Sequence, residues 1–315
     1  MKVWKFTPYL LLSLSLFIHT PAPIYSQDLA SAMQFFEENY PQLAIPAPRL
    51  SYEEELRNLG SLETLLEQEK FFQDLAQKLG EIDSLSLNPE QLLEYAILNY
   101  ETKTNQLRIR VAKKLLENPP QIHDRGLYHI EGGKDWYLYR LLFWTSSFQS
   151  PEEIVAYGKE EVARIKAEMQ KIRDQNPDFE HKLNSEEFYI SDVDQIEKEF
   201  LACQERALAL LPQMMPDYPG LPRLKIKQIV PSLSMPVPGY YNRDTFYYNV
   251  FDQDYDIRQV DWLYLHEGNP GHHFQLNYEN TLLVPTYRQS LSYSGFREGW
   301  AAYIEELAFE IDFYA

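Results

Sequence analysis

The side chains with the most chemistry to offer lie in one short run, Leu265-His266-Glu267-Gly268-Asn269-Pro270-Gly271-His272-His273-Phe274-Gln275. Imidazoles and carboxylates bind zinc, and a carboxylate held beside such an ion can take a proton from water. The usual arrangement is His-Glu-x-x-His on a helix, where residues four apart share a face and both rings reach one ion. Here position 270, four after His266, is proline, and the next histidines are His272 and His273. On a straight helix turning ~100° per residue, His272 stands ~120° off the face of His266, and His273 regains that face only ~10 Å further along the axis. Neither could share an ion through bonds of about 2 Å. A straight helix is therefore excluded.

Pro270 supplies the break. Its ring clashes with the carbonyl four residues back and its missing N–H deletes a helical hydrogen bond, so the helix must kink or stop. Gly271 accepts the backbone this demands. The expectation is a two-residue bulge that swings one histidine back beside His266. His272 is favoured as the second ligand, since it follows a glycine as in zinc helices of the form His-Glu-x-Gly-His. His273 is the alternative, or else supports the site or faces substrate. A third, carboxylate ligand is expected from a following helix, Arg297-Glu298-Gly299-Trp300-Ala301-Ala302-Tyr303-Ile304-Glu305-Glu306. Glu298 is the predicted ligand. Glu305, on nearly the same face, is predicted to orient a histidine from behind. Glu267 is the predicted general base. By itself Glu298 reads as part of a solvated acidic helix, and only the histidine run lifts it above that.

The elements that must position these groups are mostly helical. Leu56, Leu59, Leu62, Leu65, Phe71, Leu75 and Leu79 fall at helical spacing and predict a helix over 52–80, stopped at Gly80. Asn88-Pro89-Glu90-Gln91 caps a helix running to Leu116. Trp136 to Trp144 predicts a buried helix. Ser150-Pro151-Glu152-Glu153 opens another, with Ile154, Val162, Ile165, Met169 and Ile172 as its apolar face. A further helix is predicted from Val193 to Leu211. Beyond Pro216 the frequent prolines exclude long helices, and Leu224–Val230 and Asp244–Val250 read as strands. A helix resumes near Asp256 and ends on His266 and Glu267. A strand ahead of it is either an edge on which an extended peptide could pair or a plain structural hairpin. The predicted organisation is a signal peptide over 1–26, a helical scaffold over 27–215 and a metal-site region over 216–315.

Composition narrows the classes. With 44% apolar and 24% charged residues the 315-residue chain is globular, and a net charge of −18 excludes the basic surface that nucleic acid needs. Lys2 and Lys5 precede an apolar run, Tyr9 to Ile18, too short for a membrane span of about 20 residues. This reads as a secretory signal cleaved after Ser26, with an uncleaved anchor as the alternative. The expectation is a secreted or periplasmic protein with no stable membrane insertion after cleavage. Cys203 is the only cysteine, so no internal disulfide forms, and it is expected as a small buried residue.

The run from His266 to Gln275, followed by Glu298-Gly299-Trp300-Ala301-Ala302-Tyr303-Ile304-Glu305, resembles the bacterial family known as domain of unknown function 885. So do Gly133-Lys134-Asp135-Trp136-Tyr137, Ser150-Pro151-Glu152-Glu153-Ile154 and Gly158-Lys159-Glu160-Glu161-Val162. The resemblance covers most of the chain after the signal. It implies a zincin-like metallopeptidase architecture, distantly similar to carboxypeptidase Taq and oligopeptidases. Members of that family continue well beyond the Glu-Gly-Trp helix, so the C-terminal part of the fold is expected to be missing. The expectation is a mainly α fold with a small β element and one zinc ion per chain. His266, His272 and Glu298 would hold the ion while Glu267 activates water against a peptide or small amide. A non-catalytic scaffold, binding protein or inactive fragment, and a hydrolase of non-peptide amides or esters, are the competing expectations.

Overall fold

A computed structural model describes residues 26–46, 51–230, 236–251 and 254–314. Apart from Ser26, the predicted signal peptide lies outside the described residues. The protein is mainly helical, with two small sheets. It divides into two compact units. One runs from the first described residue to Tyr157 and includes Val284–Gly295; the other holds Gly158–Leu283 and the chain from Phe296 onward.

The N-terminal unit starts with α1 (Gln27–Asn39), whose Leu29, Ala32, Met33 and Phe36 are buried at helical spacing. α2 (Tyr52–Arg57) and α3 (Leu62–Gly80) replace the single helix predicted over 52–80. The interruption has a local cause: Gly60 takes a positive φ of 89° and the Ser61 hydroxyl accepts from the Thr64 N–H at 3.1 Å, capping a new helix. α4 (Pro89–Glu117) starts at the predicted capping box, with Gln91 N–H donating to Asn88 Oδ1 at 2.9 Å and Asn88 N–H to Gln91 Oε1 at 3.1 Å. α5 (Gly133–Thr145) buries Trp136 and Tyr139. These helices share one core containing Phe36, Phe72, Leu75, Leu98 and Ile109.

α4 also carries polar groups into that core. Glu101 is buried and accepts from the Tyr293 hydroxyl at 2.9 Å and from Asn105 Nδ2 at 3.3 Å. Burial pushes its carboxyl up to about 7 from 4.5, against the pull of those two donors. The folded protein thus holds this proton more tightly than the unfolded chain does. Stability attributable to Glu101 is full below about pH 4.5 and falls as pH rises to about 7. Replacing it with Gln should remove that fall, at most about 3 kcal/mol at 1.36 kcal/mol per pH unit. Denaturant unfolding at pH 5 and pH 8 checks this, and an unchanged difference between the two pH values in Glu101→Gln would refute it.

α6 (Pro151–Gln175) opens as the sequence predicts, with Ser150 N–H donating to Glu153 Oε2 at 2.7 Å. Its apolar face is left half-exposed among the described residues: Val162, Ile165, Met169 and Ile172 are 41% to 51% exposed. Periodicity marks an amphipathic helix but not the presence of a partner against its stripe.

The second unit follows with α7 (Phe179–Leu183), β1 (Tyr189–Ile190) and α8 (Val193–Met214). Then come β2 (Lys225–Gln228), β3 (Gly239–Asn242), β4 (Thr245–Tyr248) and β5 (Tyr255–Asp256). β2 pairs parallel to β4 and β3 pairs antiparallel to it, so the order is β2-β4-β3; β1 pairs with β5. The strand expected at 244–250 is thus central rather than an edge, and the edges of its sheet are β2 and β3. Phe200 of α8 packs on Phe246 and Tyr248 of β4. α8 therefore belongs with the histidines, and the change of texture near Pro216 marks a switch of local structure, not the edge of a compact unit. Cys203 is buried on α8 as a free thiol. Among the described residues no helix is long and apolar enough to cross a membrane.

Candidate metal centre

Three helices build the site. α9 (Gln259–Glu267) buries Val260, Leu263, Tyr264 and Leu265, and this fixes its last turn, where His266 and Glu267 stand. α10 (His272–Glu279) begins on His272. α11 (Ser294–Glu310) buries Ala301, Ile304 and Ala308 and carries Glu298 and Glu305 along a neighbouring face. Leu263, Leu265, Phe274, Ile304 and Ala308 meet in one core with Phe200 and Phe246.

Between α9 and α10 the chain does not bulge; it stops and restarts. Gly268 ends α9, its N–H donating to the Tyr264 carbonyl at 2.7 Å, and the Asn269–Pro270 peptide is cis. Gly271 then precedes α10, with its carbonyl accepting from Gln275 N–H at 2.9 Å. The turn is anchored from across the site, for Trp300 Nε1 donates to the Pro270 carbonyl at 2.9 Å. A Cβ on Gly271 would lie 2.0 Å from the His266 carbonyl oxygen, so only glycine permits this approach.

The result brings His266, His272 and Glu298 together, with one ligand-grade atom from each inside a sphere of mutual distances up to 4.8 Å. Glu298 Oε2 lies 3.4 Å from His266 Nε2 and 3.7 Å from His272 Nε2. The two rings are nearly perpendicular, their centroids 4.9 Å apart. Donor atoms on a tetrahedral zinc at about 2.0–2.1 Å stand roughly 3.3 Å from one another. The spacing found fits a metal after a shift of the largely exposed Glu298 side chain.

Glu305 stands where a supporting carboxylate is needed. Its Oε1 lies 2.7 Å from His266 Nδ1, which holds that nitrogen as the N–H and leaves Nε2 as the free lone pair facing Glu298 and His272. Losing this bond should weaken metal affinity by about 10–100-fold. Glu305→Ala and Glu305→Gln titrated with zinc against a chelator report it, and wild-type affinity in both would dismiss the orienting role.

His273 is not part of the cluster. Its side chain is fully buried, with Nε2 donating to the Pro222 carbonyl at 2.8 Å and Nδ1 beside the Tyr241 hydroxyl at 3.4 Å. Asn277 joins that group, donating to Asp244 Oδ1 at 3.1 Å. His273 thus ties α10 to β3, to the turn that follows it and to Pro222 ahead of β2. Nothing in the sequence singled out Tyr241 or β3. Trp300 was visible only as part of the Glu-Gly-Trp run.

Charge within the site follows burial and neighbours. Burial opposes a charged His266 ring, yet the Glu305 bond and the surrounding carboxylates outweigh it, so its pKa is raised. Burial dominates at His272 and lowers its pKa, favouring the neutral imidazole that binds metals. Glu267 is 8% exposed. Burial pushes its carboxyl up to about 7, while His266 and the Tyr241 backbone amide pull the other way.

The site and fold thus define a mainly helical protein in which imidazoles and carboxylates from three helices converge. Over residues 47–315 the chain matches the model of a family described as bacterial protein of unknown function (DUF885), and it belongs to that family. No curated protein and no solved structure matches it.

Proposed function

We propose that this protein is a zinc-dependent hydrolase, acting on peptide or small amide bonds, with a zincin-like catalytic region. The observation that carries the reading is the convergence of His266, His272 and Glu298 on one point, with Glu305 fixing the His266 ring. A zinc ion in that position supplies Lewis-acid activation of a water and of a carbonyl. The chain's own residues do the rest. His266 and His272 offer neutral nitrogens and Glu298 a carboxylate. Glu267, next to His266 in the last turn of α9, takes the proton from the attacking water. Secretion or a periplasmic location rests on the charged and apolar N-terminal segment, Lys2 to Ile18.

Metal content measured by elemental mass spectrometry tests the reading. Wild-type protein should carry one zinc per chain, and His266→Ala should carry essentially none. A wild type that stays metal-free after zinc is supplied would sink the metal centre. Bound zinc without hydrolysis of any peptide, amide or ester would leave the scaffold reading in its place.

A further inference from the structure

We propose that the N-terminal unit contains a binding pocket for a small organic carboxylate, with the Arg108 guanidinium as its anion receptor. Arg108, on α4, is 2% exposed. Its Nε donates to Asn105 Oδ1 at 3.1 Å and its Nη2 to Gln68 Oε1 at 2.7 Å, both neutral acceptors. No described carboxylate forms an ion pair with it, and its Nη1 bonds no described group. The carboxylate nearest along the network, Glu101, is met by Asn105 and Tyr293 instead. Buried charges in proteins are paired, because removing an ion from water is costly unless an opposite charge or a full set of hydrogen bonds replaces it. Among the described residues this charge is without a counter-ion.

A cavity adjoins this residue. Arg108 and Gln68 line a pocket of about 190 Å³ together with Ala44, Pro46, Leu59 and Leu65. Gln68 is itself locked, donating through Nε2 to the Leu43 carbonyl at 2.9 Å, so it presents Arg108 in one orientation. The polar end matches a carboxylate, which a guanidinium grips through paired N–H donors. The walls are mostly apolar and match a short hydrocarbon body; Thr64 and Asn58 are their other polar side chains, and no second cation lines the pocket to meet the further charge of a phosphate. The pocket is formed by residues of the N-terminal unit and owes nothing to the metal centre.

The test uses the full chain with acetate, butyrate, benzoate and inorganic phosphate as probes, and butylamine as the control, all at one ionic strength. Calorimetric titration and thermal unfolding are the readouts. Butyrate or benzoate should bind, and at a hundredfold excess over Kd should raise the unfolding midpoint by about 5–10 °C. Phosphate and butylamine should not. Arg108→Gln removes the receptor charge and Asn58→Trp fills the pocket mouth, where Asn58 is exposed; each should abolish binding. If Arg108→Gln does not fold, Asn58→Trp decides. No binding of any carboxylate to wild type, a phosphate response equal to that of butyrate, or undiminished butyrate binding in Asn58→Trp overturns the proposal.

Discussion

Glu267→Gln keeps the protein folded and metal-loaded and lowers turnover by about 10²–10⁴-fold, the share a positioned general base contributes. The substitution preserves shape and removes only the ability to accept a proton. It should not unfold the site, because the wild-type carboxyl is already disfavoured as a charge there: burial pushes it up to about 7. A neutral amide at this position carries no such penalty. Elemental analysis and circular dichroism establish that metal and fold persist, and hydrolysis of a peptide library then measures the loss. Hydrolysis at the wild-type rate in this variant would remove Glu267 from the chemistry.

The second large effect is expected at a residue with no side chain. Gly271→Ala places a methyl group 2.0 Å from the His266 carbonyl oxygen and 2.2 Å from that of Leu265. Both neighbours are backbone, so no side-chain rotation relieves the overlap. The turn cannot simply shift either, since Trp300 holds the Pro270 carbonyl and Gln275 holds that of Gly271. Relief must come from moving the start of α10, and His272 moves with it. Gly271→Ala should lose stoichiometric zinc binding and destabilise the protein by about 3 kcal/mol or more. Gly299→Ala is the contrast: a Cβ there meets nothing within 4 Å, and an alanine inside a helix gains about 0.5–1 kcal/mol over glycine. Retained zinc in Gly271→Ala would show that the two histidines do not depend on the close turn.

What could be read from sequence was whatever a short window contains. Asn88 and Ser150 announced their helices because capping is local chemistry, satisfied within four residues. Pro270 announced the end of α9 for the same reason. The stop of one helix and start of another, in place of a bulge, depends on how Gly268 and Gly271 pack against the Tyr264 and His266 carbonyls, which no spacing records. Glu305 was legible as a seven-residue repeat of Glu298, but its bond to His266 spans 39 positions and exists only because Ile304 and Ala308 seat α11 in the shared core. The choice between His272 and His273 turned on burial: one ring faces the carboxylates and the other is spent on the Pro222 carbonyl. For α6 the apolar stripe was legible as a pattern, and its exposure was not, because periodicity describes one surface and not its neighbour. β3 was missed since Gly239-Tyr240-Tyr241-Asn242 has no alternation of its own and is a strand only through its register with β4.

The indole of Trp300 bonded to the Pro270 carbonyl has a consequence for the thermodynamics of loading. It fastens the helix bearing Glu298 and Glu305 to the very link that separates His266 from His272. The two imidazoles are therefore brought together as the chain folds, while the largely exposed Glu298 side chain keeps its freedom. In the proposed metal centre the ordering left for binding is that of the Glu298 side chain alone, so little entropy is lost when the site closes.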